Sequence, residues 1–113
     1  MANALELFNH IANLLALRPG VSRSKMFGMP TVKVNGKAFA GLSQDTMVFK
    51  LAEEERLAAL KLAGARLFEP MAGRAMKEWV EVPVGQVAED TMQELAEAAL
   101  NYVSKLTEKR EIR

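Results

Sequence analysis

A chain of 113 residues with 15 basic and 14 acidic side chains carries a net charge of only +1, so it lacks the global positive field of a dedicated nucleic-acid binder. Hydrophobic residues make up 50% of the sequence and charged ones 26%. That is too apolar for disorder and enough for one domain burying roughly two-thirds of the surface its unfolded form exposes. With no cysteine, disulfides and thiol catalysis are excluded, and a chain that needs no staple suits a reducing compartment.

The N-terminal residues lack the basic region of a signal peptide, and Glu6, Asn9, His10 and Asn13 interrupt the apolar residues that follow. No apolar run approaches the roughly 18 residues of a membrane span. A cytoplasmic protein with no membrane partner is therefore expected. From Asn3 to Leu17, Leu5, Phe8, Ala12 and Leu15 form one helical stripe flanked by Ile11 and Leu14. Asn3 is placed to cap this helix with Glu6 three residues on, and Pro19-Gly20 ends it.

Residues 26–42 predict a β-hairpin around Asn35-Gly36, a pair suited to a type I′ turn because both central residues need positive φ. In that register Val34 faces Lys37 and Val32 faces Phe39, while Thr31, Lys33, Ala38 and Ala40 take the other face. After Ser43-Gln44-Asp45, the segment from Thr46 to Leu51 alternates at period two and completes a three-stranded antiparallel meander. Glu53-Glu54-Glu55 opens a second helix whose positive end the carboxylates complement, with Leu57 and Leu60 as core contacts and Gly64 as its stop.

Arg66-Leu67-Phe68 is too short to define a strand by pattern. In the clearer strand from Met76 to Val82, Met76, Glu78, Val80 and Val82 share one face and Lys77, Trp79 and Glu81 the other. From Pro83 onward Val84, Val87, Ala88, Met92, Leu95, Ala99, Tyr102, Val103 and Leu106 recur at helical spacing and predict a long C-terminal helix. Acid at Glu89 and Asp90 and base at Lys105, Lys109 and Arg110 agree with the helix dipole. The elements make an α+β fold, an antiparallel sheet with helices over one face.

Several of these segments together resemble a known family. They are Met26-Phe27-Gly28-Met29, the turn from Val34 to Ala40, the strand from Thr46 to Leu51, Gly73-Arg74, and the run from Met76 to Pro83. Over nearly the whole chain they look like the N-terminal domain of the TfoX (Sxy) competence regulators. The resemblance implies a single domain over residues 1–113 with the order α-β-β-β-α-β-β-α, an architecture related to secretion-chaperone-like domains. It supports the strand at Arg66 and implies no catalytic residue set. Full-length regulators of that family carry a further, C-terminal domain, which is not expected in this sequence.

Few residues invite chemistry. His10, the single histidine, falls on the polar face of the first helix, and one histidine without cysteine builds no zinc site. Glu53-Glu54-Glu55 and Glu89-Asp90 are better explained by helix dipoles than as hard-metal ligands. Gly28, Gly36, Gly41 and Gly73 fit no nucleotide-binding spacing. No catalytic residue, metal or cofactor is assigned.

Arg18, Arg23 and Lys25, then Arg74 and Lys77, are local clusters of base, and Arg23, Lys25, Arg74 and Lys77 are the candidate anion or nucleic-acid contacts. Trp79 is either covered by a helix or exposed as an anchor for a partner. In the last helix Ala88, Met92, Leu95, Ala99, Tyr102 and Leu106 step as a coiled-coil seam does, widened by Ala96, Leu100 and Val103. Trp79 and Leu100 are accordingly the candidate interface of a homodimer. The expectation is a small non-enzymatic regulatory or adaptor domain acting through protein contacts. The alternative is a weak nucleic-acid or anion-binding module using the basic patch.

Overall fold

The structure, a computed structural model, describes residues 3–26, 28–71 and 73–111, the side chains of residues 70, 71, 74 and 108–111 excepted. Its elements are α1 (Ala4–Leu15), β1 (Val21–Met26), β2 (Met29–Val34), β3 (Lys37–Ser43), β4 (Thr46–Lys50), α2 (Glu53–Ala59), β5 (Arg66–Met71), β6 (Arg74–Pro83) and α3 (Glu89–Glu111). The strands form one antiparallel sheet in the order β1-β2-β3-β4-β6-β5. The fold is α+β, with one strand more than the sequence pattern suggests. Among the described residues no helix is long and apolar enough to cross a membrane.

The additional strand is β1, Val-Ser-Arg-Ser-Lys-Met, which pairs along its length with β2 and lies at the sheet edge. It lacks apolar alternation because Arg23 takes the place of an apolar residue. The Arg23 guanidinium lies 5.7 Å from the centre of the Phe8 ring and donates to Asn9 Oδ1 at 2.6 Å and Asn13 Oδ1 at 3.1 Å. A long amphipathic side chain thus ties the edge strand to α1.

All three helices pack on one sheet face. Leu7, Phe8, Ile11, Ala12 and Leu15 of α1, Ala59 of α2, and Met92, Ala96, Ala99, Leu100 and Val103 of α3 join one core with Val32, Val34, Phe39, Met47, Phe49, Val80 and Val82. The Asn3 capping box forms as expected, Asn3 Oδ1 accepting from the Glu6 amide at 2.8 Å. The buried stripe of α1 is rotated from the predicted one: Leu7 is buried, while Leu5 and Leu14 are exposed. In α2, Leu57 is likewise exposed, and the short helix buries Ala59 with Leu60 partly packed beside it. The helix ends at Ala59, so Leu60 packs from its C-cap.

The Asn35-Gly36 turn has the positive φ its type requires, 52° and 82°. Asn35 is further fixed by Nδ2 donating to Thr107 Oγ1 at 2.8 Å and by its amide donating to Gly20 O at 2.9 Å. Val34 faces Lys37 as predicted, but a bulge between Val32 and Lys33 sets Val32 opposite Ala40 instead of Phe39. Ala40 therefore joins the helix-side core. A second irregularity in β5 and β6 sets Phe68 opposite Met76 and turns Met76 away from the face of Val80 and Val82.

Candidate functional site

The sheet face away from the helices has its own small core. Val48, Phe68 and Trp79 are buried together, with Met26, Met29, Ala38 and Met76 partly buried around them. Consecutive apolar residues Met47, Val48 and Phe49 reflect this, because a strand buried on both faces no longer alternates. Met29 on β2 and Phe68 on β5 are four strand steps apart in the sheet order, about 19 Å if the sheet were flat. They nevertheless share this cluster and line one cavity. The sheet is therefore strongly curled with this face concave, as bulges in β2–β3 and β5–β6 promote by increasing local twist.

The cavity is a groove of about 430 Å³ lined by Met29, Ser43, Gln44, Asp45, Thr46, Arg66, Phe68, Glu69 and Glu81. Its parts come from the β3–β4 turn, where Gln44 adopts φ 57°, from the start of β5, and from β6. Thr46 Oγ1 donates to Ser43 O at 2.9 Å across the turn, and the Val84 amide donates to Asp45 O at 2.9 Å. On β3, a Cβ at Gly41 would meet Pro30 O at 3.2 Å and Val48 Cγ2 at 3.3 Å, so a side chain there would need its neighbours to shift slightly.

Arg66 Nε donates to Glu81 Oε2 at 2.7 Å, with Glu81 only 12% exposed. That hydrogen bond, then the charge of Glu81 and the weaker one of Glu69, raise the Arg66 pKa above its ordinary value. Among the described residues the groove thus sets Asp45, Glu69 and Glu81 against the one guanidinium of Arg66, above a floor of Met29 and Phe68. Among the described residues that line it there is no predicted site residue; the side chain of Arg74 lies outside the described residues.

The basic candidates fall on two strands, β1 and β6. Arg23 is held by α1, and Lys25 lies with it on edge strand β1. Lys77 sits on β6 past the last residue paired with β4, with β2, β3 and β4 between it and β1. The side chain of Arg74 lies outside the described residues, as do those of Lys109 and Arg110. Arg18 is paired with Glu97 at 3.2 Å.

The interface candidates are buried within the chain. Trp79 is 5% exposed, covered by the curled strands and their methionines; the three helices pack on the other face. Leu100 is 4% exposed in the core, where the sheet and α1 take up the apolar arc of α3. Ala88, the first residue of the predicted seam, is exposed and precedes α3. Neither Trp79 nor Leu100 is therefore available as an exposed anchor.

A second polar constellation joins α3 to β6. The Tyr102 hydroxyl donates to Glu78 Oε2 at 2.6 Å, and Lys50 Nζ lies 3.6 Å from Glu78 Oε1. The hydrogen bond to Glu78, with partial burial, raises the Tyr102 pKa above its ordinary value. Its Glu78 was correctly placed on the helix side by alternation, while Tyr102 sits at the edge of the α3 core.

The YjbR family profile matches residues 16–101, and the chain belongs to the YjbR family. This corrects the resemblance to the TfoX regulators, which are a distinct family. The matching segments are hairpin and strand features that an antiparallel α+β domain of either family can carry, so they speak for fold more than for descent. No curated protein matches the chain.

Proposed function

We propose that the chain is a small non-enzymatic adaptor or regulatory domain that works through protein contacts, with the concave sheet face as its docking surface. The observation that carries this reading is the groove itself. Its floor of Met29 and Phe68 rests on the Val48–Phe68–Trp79 cluster, and its rim is polar. Methionine suits such a surface because its unbranched thioether adapts to partners of different shape. Binding pockets commonly measure about 300–1,000 Å³, so a groove of this size suits a short segment of a partner.

The nucleic-acid reading has one observation in its favour. Between Glu6 and Asp45 the sequence has no carboxylate while carrying Arg18, Arg23, Lys25, Lys33 and Lys37. Arg18 and Arg23 are engaged within the protein, and of the three lysines Lys33 pairs with Ala38 and Lys37 with Val34, on opposite sheet faces. Converging phosphate contacts are what affinity for a backbone needs.

Affinity capture from the native host, with protein and nucleic acid both identified, separates the two. The protein-contact reading expects a protein recovered after nuclease treatment, lost with Met29→Lys in the groove and retained with Leu57→Lys on exposed α2. Recovery abolished by nuclease would favour the alternative, and capture indifferent to Met29→Lys would remove the groove from the account.

A further inference from the structure

We propose that the concave groove selects an extended peptide segment in which a basic residue adjoins an apolar one. This rests on the protein-contact reading above and adds the chemistry of the partner. Among the described residues three carboxylates and one guanidinium line the groove, and the guanidinium is closed on Glu81 at 2.7 Å. Asp45 and Glu69 are both exposed, and Asp45 makes no ion pair among the described residues. The rim therefore presents negative charge beside the apolar floor of Met29 and Phe68.

A lysine or arginine lays its aliphatic stem along such a floor and carries its charge to a carboxylate at the rim. An adjoining leucine or methionine fills the space over Phe68 and Met29, where the thioether packs well against either. Acidic segments and phosphate backbones meet repulsion at the same rim. The groove also lies beside β5, the last strand in the sheet order, so an extended segment can run along the strand that supplies Arg66, Phe68 and Glu69.

The experiment uses two labelled synthetic peptides, one alternating lysine with leucine and one alternating glutamate with leucine, and reads anisotropy at low and high salt. The lysine–leucine peptide is expected to bind, more weakly at high salt, and the glutamate–leucine peptide not to bind. Asp45→Asn with Glu69→Gln, both on the exposed rim, should weaken binding about fivefold, as expected for two exposed ion pairs. Glu53→Gln with Glu54→Gln on α2 should leave it unchanged. Equal binding of both peptides, or equal weakening by the α2 pair, overturns the proposed charge selection while leaving the groove a docking surface. No binding of the lysine–leucine peptide to the folded wild type also overturns it. Failure of the underlying reading shows separately, as host capture indifferent to Met29→Lys.

Discussion

Replacing Asn35 tests how the backbone and α3 are joined at the β2–β3 turn. Its φ of 52° lies in the left-handed region, where a β-branched side chain is strained, and its Nδ2 donates to Thr107 Oγ1 at 2.8 Å. Asn35→Val loses both features: about 1–2 kcal/mol of backbone strain and about 1 kcal/mol for the hydrogen bond, or about 2–3 kcal/mol in all. Asn35→Gly keeps the conformation and loses only the bond, about 1 kcal/mol. Thr107→Val removes the same bond from the other side, so a double-mutant cycle with Asn35→Gly should return a coupling of about 1 kcal/mol. Urea unfolding followed by circular dichroism measures each value. At about 4 °C per kcal/mol for a domain of this size, Asn35→Val should melt about 8–12 °C below the wild type. Equal loss in the Val and Gly variants would refute the strain argument, and zero coupling would refute the side-chain link to α3.

Three further outcomes follow from buried groups. Trp79, the sole tryptophan, should show blue-shifted emission shielded from iodide, and the emission of a solvated indole would contradict its place in the concave cluster. Tyr102, the sole tyrosine, should form phenolate only above its ordinary value of 10.0 by ultraviolet titration, and Glu78→Gln should lower that midpoint; an unchanged midpoint would refute the hydrogen bond as cause. Because the folded pKa is raised, the stability linked to Tyr102 is present below the unfolded pKa and is lost as pH rises through the folded one. Leu100→Ala should cost about 2–4 kcal/mol with no change of molar mass, whereas a change of mass without loss of stability would return Leu100 to an interface.

Local chemistry made much of the fold legible. Asn35-Gly36 placed a turn, Asn3 and Glu6 placed a cap, and Val80 and Val82 marked the helix-side face. What escaped depends on long-range geometry. Edge strand β1 has only Val21 and Met26 as apolar residues, because Arg23 packs by its stem against Phe8, so there was no alternation to find. The bulge at Val32 exchanged Phe39 for Ala40 as its neighbour, and the irregularity at Phe68 moved Met76 across the sheet. Neither has a signature in period-two alternation. Trp79 fell between two alternatives, helix cover and exposure, and the curled sheet supplied a third.

The groove was invisible for the same reason, and its charge is hidden by composition as well. A net charge of +1 argues against a global basic footprint, yet it is the sum of unlike regions. The chain from α1 to the end of β3 has no carboxylate after Glu6, whereas Asp45, Glu69 and Glu81 meet at the groove from a turn and two strands that are distant in sequence. Charges interact over a Debye length of about 8 Å at physiological salt, so a ligand in the groove feels this local set before the whole molecule. Only the curl that buries Trp79 without a helix brings Met29 opposite Phe68 and sets these carboxylates around an apolar floor. Straightening that curl would therefore expose Trp79 and dismantle the groove together, which ties the stability of the second core to the geometry of the binding surface.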